Sequence, residues 1–382
     1  MISNKIEGYF TSRFNASPKV IVKAPGRINI IGEHTDYNSG YVLPAAINYY
    51  MDVGLSKNDT ADQINLYSLD YDEHVSASLK EIERTENDWL NLIYGVIFQL
   101  KDHIKGFDLA FGGNIPVGAG VSSSAALCCG VALGLSELFE LNLEKWELAR
   151  IAQKSEHTFS LVQCGIMDQF ACLFGLVNHV LLLNCLNHEY EETAIDLSGS
   201  RLLLINSNVK HNLGDSDYNK RREESNQALE FFKIKFANVK TYQDLSLEMI
   251  DNYKEDLTPK LWKRAHHIVS ENGRVLTINE ALKNKDHVGV GYQLTQGHMS
   301  LKNDYEVTCD ETDYLVNELI SHDEIYGARQ VGGGFGGCIL ALSKDVSLDS
   351  IIEDLNQKYT KNFNLNIDDI PIKISNGCHR IA

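Results

Sequence analysis

The sequence predicts a two-domain protein of the α/β class, in which helices alternate with strands that pair into open sheets. At 382 residues, the chain exceeds the size at which a single hydrophobic core stops growing, so two domains are expected. Segments with the two-residue period of a strand alternate along the chain with segments that have a helical period. An apolar content of 43% is that of an ordinary globular protein.

Charge and composition exclude several classes of partner. The chain has 35 Lys and Arg against 52 Asp and Glu, a formal net charge of −17, whereas nucleic-acid binding requires clustered basic residues. The longest apolar run, residues 125–135, is too short to cross a bilayer, and the start MISNKIEGYF lacks the apolar region of a secretory signal. None of the eight cysteines forms a CxxC pair, which favours reduced thiols. We therefore expect a cytoplasmic protein with no nucleic-acid or membrane partner.

The first elements lead to a dense group of polar side chains. Residues 20–23 predict a strand that ends at an Ala-Pro-Gly breaker, and a second short strand is expected before the polar loop of GRINIIGEHTDYNSG, residues 26–40. Arg27 precedes this loop. Charged residues of this kind more often form a surface ion-pair cluster.

The spacing within the loop nevertheless favours a ligand site. Glu33, His34 and Asp36 lie within four residues of each other behind Gly32, and carboxylates beside an imidazole can accept hydrogen bonds from several hydroxyls of one small polyol. His34 could instead hold a metal, but no HExxH spacing supports that reading.

A glycine-rich loop follows. Residues 52–80 alternate as antiparallel strands do, residues 88–103 predict a helix, and residues 109–111 predict a strand. On the helix, Trp89 and Asn91 could lie near a nucleotide base, although packing is favoured for Trp89.

The loop itself, NIPVGAGVSSSAAL at residues 114–127, opens a helix that is predicted to reach about residue 141. Gly118 and Gly120 can adopt backbone angles denied to other residues, and the serines can cap the helix. The free N–H groups of the first turn would then face a bound anion such as a phosphate. The sequence contains no GxxxxGK[ST], which excludes a Walker-type loop.

Two acidic residues come next. A helix over residues 144–159 carries Glu156 near its end, and CGIMDQF at residues 164–170 contains Asp168, which is either a helix cap or a working carboxylate. A strand over residues 176–183 leads to DLSGS, residues 196–200, a weak domain boundary.

The second half predicts a strand from residue 201, a polar loop with Gly214, and a helix from about residue 217. Tyr218 lies at the start of this helix beside a basic trio, residues 220–222, that is expected to be solvated and paired with neighbouring glutamates. Later predicted helices cover residues 262–283, 291–301, 312–321 and 348–359, and a last strand covers residues 371–374.

The segment GARQVGGGFGGCILAL, residues 327–342, contains the spacing GxGxxG at Gly332, Gly334 and Gly337. A strand-like run, residues 338–342, follows where a dinucleotide-binding motif requires a helix, so the match is accidental. These glycines are expected to let one backbone approach another, or a phosphate.

Taken together, three segments resemble the galactokinases of the GHMP small-molecule kinases, from about residue 23 to the end of the chain. GRINIIGEHTDYNSGYVLP resembles their sugar-binding signature, NIPVGAGVSSSAAL their phosphate loop and GARQVGGGFGGCILAL their C-terminal glycine motif. The first is the specific one, since mevalonate and homoserine kinases share the phosphate loop.

The resemblance implies a ribosomal-protein-S5-like N-terminal domain, residues 1–196, and a ferredoxin-like C-terminal domain, residues 197–382, with the active site between them. The implied activity is ATP-dependent phosphorylation of the anomeric hydroxyl of α-D-galactose, the first step of galactose catabolism. ATP and Mg²⁺ are the implied cofactors, and a monomer is expected.

The resemblance also assigns residues. Asp168 would be the catalytic carboxylate and Arg27 its charged neighbour. The sugar would contact Glu33, His34, Asp36, Gly165 and Tyr218; the phosphates would contact Gly118, Ala119, Gly120, Val121, Ser122, Ser123 and Ser124; Mg²⁺ would be held by Ser123 or Ser124 and Glu156.

Some positions depart from the family pattern. Leu161 and Gln163 replace an expected glycine and asparagine before CGIMDQ, Ala126 replaces the last serine of the phosphate loop, and Gly297 replaces a common serine. The first pair lies close to the implied sugar site, so it leaves the exact substrate open. Two alternatives to the implied activity remain. One is a GHMP kinase for a related sugar, such as N-acetylgalactosamine or a galacturonate, and the other is a catalytically silent sugar sensor.

Overall fold

A computed structural model describes residues 2–116, 118–209 and 214–382, with no side-chain description for residues 2–4 and 214–216. Val117 of the phosphate loop and residues 210–213 of the predicted polar loop lie outside the described residues. The strands are β1 (Val20–Asn29), β2 (Tyr41–Val42), β3 (Pro44–Lys57), β4 (Gln63–Ser68), β5 (Glu73–Ser78), β6 (Phe107–Gly113), β7 (His179–Asn184), β8 (Tyr190–Ala194), β9 (Ser200–Asn206), β10 (Ile325–Val331), β11 (Cys338–Lys344), β12 (Asp368–Ile370) and β13 (His379–Arg380). The helices are α1 (Ile2–Phe14), α2 (Asp88–Leu100), α3 (Ser123–Phe139), α4 (Lys145–Ser155), α5 (Met167–Phe174), α6 (Gly214–Lys235), α7 (Leu247–Asn252), α8 (Pro259–Lys283), α9 (His287–Ser300), α10 (Asp310–Ile320) and α11 (Asp349–Phe363).

The strands form three sheets. The largest has six strands in the order β13-β1-β3-β6-β4-β5, the second has four in the order β10-β11-β9-β12, and the third has three in the order β2-β7-β8. Helices α2, α3, α4 and α5 pack beside the six-stranded sheet, whereas α10 and α11 cover the four-stranded one. The α/β class predicted from the alternation of periods is therefore confirmed.

Strand β1 corrects one prediction. The Ala-Pro-Gly sequence at residues 24–26 does not end the strand, because the pairing with β3 continues through it and only shifts register between Pro25 and Arg27. Proline is tolerated at such a bulge, where no ladder hydrogen bond is required of it. The bulge turns β1 toward the phosphate loop, so that the Arg27 amide donates to the Val121 carbonyl at 3.0 Å. A Cβ atom at Gly26 would lie 2.7 Å from that carbonyl oxygen, so the approach requires glycine.

The end of the chain returns to the first sheet. In β13, Arg380 pairs with Val22 and His379 with Lys23 of β1. The predicted strand at residues 371–374 is wrong, since β12 lies earlier and only Ile374 makes an isolated bridge, to Ile47. The division at residues 196/197 stays a prediction; the main hydrophobic core contains residues from both sides of it, such as Ile31 and Val275.

The structure also decides the role of Trp89. Its ring packs against Phe111, and its indole N–H donates to Glu73 at 2.7 Å, so the prediction that Trp89 packs is confirmed. For the basic trio, the prediction is confirmed in part, since Lys220 is exposed and Arg221 pairs with Glu224 at 3.4 Å. The two arginines also make contacts that were not predicted: Arg221 donates to the Tyr305 carbonyl at 2.8 Å, and Arg222 donates to the Gln163 carbonyl. Strand β11 follows the GxGxxG spacing, as expected.

Within the part of the chain that the structure describes, no helix has both the length and the apolar composition needed to cross a bilayer.

Candidate active site

A pocket of about 470 Å³ lies where the polar loop after β1, the start of α3, the start of α5 and the glycine motif before β11 meet. Its lining includes nearly all the predicted site residues: Arg27, Glu33, His34, Asp36, Gly118, Gly120, Val121, Ser122, Ser123, Ser124, Glu156, Asp168 and Tyr218. Two predicted residues do not line it. Ala119, although it belongs to the loop, is fully buried, and Gly165 lines a neighbouring cavity of about 290 Å³ that shares Asp36 with the pocket.

Arg27 and Asp168 form a bidentate ion pair in this pocket. Arg27 Nε and Nη2 donate to the two carboxylate oxygens of Asp168, each at 2.7 Å. The Nη1 atom of Arg27 donates to the Gly120 carbonyl at 2.6 Å, which ties the pair to the phosphate loop. The N-cap of α5 is Ile166, so the alternative that Asp168 caps this helix is wrong.

The phosphate loop differs from the expectation in one respect. Helix α3 begins at Ser123, and Ser122 is its N-cap, but no serine side chain caps the helix. Ser122 adopts a left-handed conformation, with φ 61° and ψ 55°, and its hydroxyl donates to Oδ2 of Asp168 instead. The carboxylate of Asp168 is thus held by three donors from two segments, which fixes its orientation.

Glu156 is a second acidic residue that lines the pocket. The hydroxyl of Ser124 donates to Glu156 Oε2 at 3.1 Å, and the amide of Gln169 donates to Oε1 at 2.6 Å. Burial, with the charge of Asp168 nearby, raises the pKa of Glu156 to about 7. Burial and Asp168 thus destabilise the charged form of Glu156, and a cation bound beside it would stabilise that form.

In the polar loop, Glu33 is held by the second half of the chain. Its carboxylate accepts from Arg329 Nη2 at 2.8 Å and from the Gly332 amide at 3.0 Å, and also from the side-chain amide of Asn29. Arg329 is fully buried on β10 and also donates to the carbonyls of Asn29 and Ile30. Sequence reasoning missed this arginine, because nothing in a strand-like run reveals a partner so distant in the chain.

His34 and Asp36 are the other buried groups of the loop. The Nδ1 atom of His34 lies 2.8 Å from the Tyr37 hydroxyl, while its Nε2 atom has no hydrogen-bond partner among the described residues. Burial, followed by His267 and Arg221, holds the pKa of His34 well below its usual value. Burial and the charge of Asp168 raise the pKa of Asp36 to about 7.

Tyr218 and the glycine motif close the pocket. The Tyr218 ring lies 5.5 Å from the His34 ring, between centroids. Gly332 and Gly334 have φ of 89° and 96°, and a Cβ atom on Gly334 would lie 2.6 Å from the Val307 carbonyl oxygen. These glycines therefore permit a close backbone approach, as expected, and Phe335 joins them as a lining residue that sequence reasoning missed.

The departures Leu161 and Gln163 are both exposed and are not among the lining residues. Leu161 has φ 61°, at the end of a π-helical segment, Glu156–Ser160. Glycine adopts this conformation without strain, which accounts for the glycine expected there.

Family models match three parts of the chain: the galactokinase galactose-binding signature over residues 9–57, the GHMP kinases N terminal domain over residues 91–176 and the GHMP kinases C terminal domain over residues 278–361. Together these matches bear out the two-domain GHMP kinase fold.

This chain is also similar in sequence and in structure to individual proteins. The galactokinase of Thermotoga petrophila is 42% identical over 363 residues, which cover 94% of this chain and 99% of that one. The galactokinase of Haemophilus influenzae is 39% identical over 363 residues, with 92% of each chain covered. Among solved structures, Lactococcus lactis galactokinase complexed with galactose matches with a TM-score of 0.96 at 32% identity, and each chain is covered in full.

Proposed function

Because this chain belongs to the galactokinases, a branch of the GHMP kinase family, we propose that it transfers the γ-phosphoryl group of ATP to the anomeric hydroxyl of α-D-galactose, giving galactose 1-phosphate. The observation that carries the proposal is the Arg27–Asp168 pair, in which Arg27 belongs to the segment that matches the galactose-binding signature and both residues are hydrogen-bonded to the loop that opens α3. A sugar hydroxyl and a phosphate can meet at that pair.

Asp168 is the proposed catalytic carboxylate. With one oxygen bound to Arg27 Nε and the other to Arg27 Nη2 and Ser122, it can orient the anomeric hydroxyl and accept its proton late in the transfer. A late proton transfer suits phosphoryl transfer, whose loose transition state needs little help from a strong base.

Arg27 serves the phosphoryl group as well as Asp168. The transition state carries negative charge on the equatorial oxygens, which positioned donors stabilise. The guanidinium of Arg27 and the free N–H groups at the start of α3 are such donors. We assign the phosphates of ATP to the loop from Gly118 to Ser124, which includes Ala119, Gly120, Val121, Ser122 and Ser123.

The sugar is assigned to the other side of the pair. His34, Glu33, Asp36 and Tyr218 line the pocket together, so all four can bind hydroxyls of one hexose. The Nε2 atom of His34 has no hydrogen-bond partner among the described residues, which leaves it available to a hydroxyl. Gly165 contributes indirectly. A Cβ atom at residue 165 would overlap the Asp36 carboxylate, so a glycine is required for the observed position of Asp36.

The residues present fit Mg²⁺. The Ser124 hydroxyl and the Glu156 carboxylate, 3.1 Å apart, are oxygen donors of the kind that Mg²⁺ prefers. Burial and the charge of Asp168 raise the pKa of Glu156, and a cation beside it would oppose both effects. Of the two serines predicted as ligands, only Ser124 contacts Glu156 among the described residues, so Ser124 is preferred to Ser123. When bound, Mg²⁺ would neutralise charge on the phosphate oxygens.

The proposal is tested with a panel of sugars and ATP, with the position of the phosphate read by NMR. Galactose phosphorylated at its anomeric oxygen is the expected result. Preferred turnover of N-acetylgalactosamine or a galacturonate would replace the substrate, and galactose binding without any ADP release would indicate a sensor. Neither alternative is favoured by the galactokinase relatives.

The catalytic assignment has its own test. Asp168→Ala should lower turnover roughly 10²-fold or more, with galactose binding still detectable by calorimetry, while the surface variant Asp196→Ala serves as the control. Turnover in Asp168→Ala equal to that of the control would refute the role of Asp168.

We further propose that the protein is a monomer in the cytoplasm. Light scattering after size-exclusion chromatography tests whether it is a monomer.

A further inference from the structure

The buried face of α8 is hydrogen-bonded to the backbone of the polar loop that follows β1. Three polar side chains of this helix, His267, Glu271 and Asn272, are almost fully buried and bond to main-chain atoms between residues 32 and 41. None of the three lines the pocket, so none is expected to touch the substrate directly.

Glu271 makes the central contact. Its Oε1 atom accepts from the amides of Gly32 and Glu33, at 3.0 and 3.2 Å, and its Oε2 atom accepts from Arg274 at 2.6 Å. The residue is fully buried. Burial alone would raise the pKa of Glu271, but Arg274, His267 and Arg329 together lower it to about 2, so the carboxylate is charged and forms strong hydrogen bonds.

The two neighbours hold the flanks of the loop. The Nε2 atom of His267 lies 3.1 Å from the Glu33 carbonyl, and the Asn272 side chain accepts from the Tyr41 amide at 2.9 Å. The helix can come so close because a Cβ atom on Gly32 would lie 2.7 Å from the Tyr41 carbonyl oxygen and 3.0 Å from Val275.

The peptide groups on both sides of Glu33 are therefore fixed by α8, and its carboxylate is fixed by Arg329 and Gly332. A side chain projects from its backbone, so the directions of Glu33 and His34 depend on these contacts. Pre-organising a binding loop removes the ordering cost from ligand binding.

We propose that Glu271 is a positioning residue of the sugar site, whose carboxylate holds the Gly32 and Glu33 amides and thereby directs Glu33 and His34 into the pocket. The inference rests on the proposed function for the identity of the sugar, and it goes beyond that function by assigning substrate affinity to a helix outside the pocket.

The experiment compares Glu271→Ala and Glu271→Gln with Asn279→Ala. Asn279 is a matched control, because it lies on the same buried face of α8 but bonds to Thr193, at 2.7 Å, away from the loop. Steady-state kinetics give KM for galactose, KM for ATP and kcat, and thermal unfolding gives the loss of stability in each variant.

Glu271→Ala should raise KM for galactose roughly 10- to 100-fold, the cost of a small misplacement of positioned groups, with KM for ATP nearly unchanged. Glu271→Gln should fall between wild type and Glu271→Ala, since a neutral carbonyl oxygen still accepts both amides but more weakly. Asn279→Ala should lose stability with KM for galactose unchanged.

Equal KM values for galactose in Glu271→Ala and Asn279→Ala, or a parallel rise in KM for ATP, would overturn the proposal. If Glu271→Ala does not fold, Glu271→Gln decides alone, and a wild-type KM for galactose in that variant overturns it. Wild-type protein that phosphorylates no galactose refutes the proposed function instead, and the comparison is then made with whichever sugar the panel identifies.

Discussion

Ser122 stores backbone strain at the proposed catalytic carboxylate, and two substitutions separate the strain from the hydroxyl. Ser122→Ala removes the hydroxyl that donates to Asp168 and keeps the left-handed backbone, whereas Ser122→Gly removes the hydroxyl and the strain together. The two variants should therefore share a catalytic defect and differ in stability.

The magnitudes follow from the geometry. A left-handed residue other than glycine costs roughly 1–2 kcal/mol of stability. Glycine relieves this cost, but its larger conformational entropy in the unfolded chain offsets about 0.5–1 kcal/mol of the gain. Ser122→Gly should thus be more stable than Ser122→Ala by about 0.5–1 kcal/mol. With the two bonds from Arg27 intact, loss of the third donor should lower kcat roughly tenfold in both variants, equivalent to about 1.4 kcal/mol.

Urea unfolding measures the stability difference, and kcat is measured at saturating galactose and ATP. Wild-type kcat in both variants would show that the Ser122 hydroxyl does not orient Asp168. A Ser122→Gly variant that is less stable than Ser122→Ala by about 0.5–1 kcal/mol, the entropy cost of glycine alone, would show that the left-handed backbone at this position carries no cost.

Four further changes have expected outcomes. Gly165→Ala should weaken galactose binding, measured by calorimetry, because the new methyl group would displace the Asp36 carboxylate; unchanged affinity would contradict the position of Asp36 in the site. Leu161→Gly should raise the free energy of unfolding by about 0.5–1 kcal/mol, measured in urea, because it relieves a left-handed backbone at an exposed side chain. Glu156→Gln should raise the Mg²⁺ concentration needed for half-maximal rate at least roughly tenfold, as even loss of an outer-sphere partner does, and an unchanged Mg²⁺ titration would remove Glu156 from the metal site. Burial lowers the pKa of His267 to about 4, below the value of 6.5 in the unfolded chain, so stability should be complete above pH 6.5 and fall by about 3 kcal/mol as the pH drops to 4; a His267→Gln variant that keeps this slope in urea unfolding would contradict it.

The sequence predicts elements whose causes are local. Helix α8 and the strand pair β4 and β5 follow from hydrophobic periodicity, and the loop that opens α3 follows from glycines and serines close together in the sequence. The sequence also predicts that Glu33, His34 and Asp36 lie together, because they are within four residues of each other, and all three line the pocket.

The contacts that fix those side chains could not be predicted, because they join distant parts of the chain. Arg329 and Glu271 reach Glu33 from β10 and α8, and nothing near either residue reveals its partner. The passage of β1 through Pro25 has the same origin, since the bulge is stabilised by β3 and the phosphate loop rather than by the residues around the proline.

The pairing of Val22 with Arg380 has a consequence for how the protein is made. A ribosome synthesises β1 before the other strands of its sheet and β13 after them, so β1 is the edge strand of this sheet until residues 379–380 are made. An open strand edge is a template for pairing with other chains. Chains that end before residue 379 should therefore aggregate more readily, because Val22 and Lys23 of β1 then lack their strand partners.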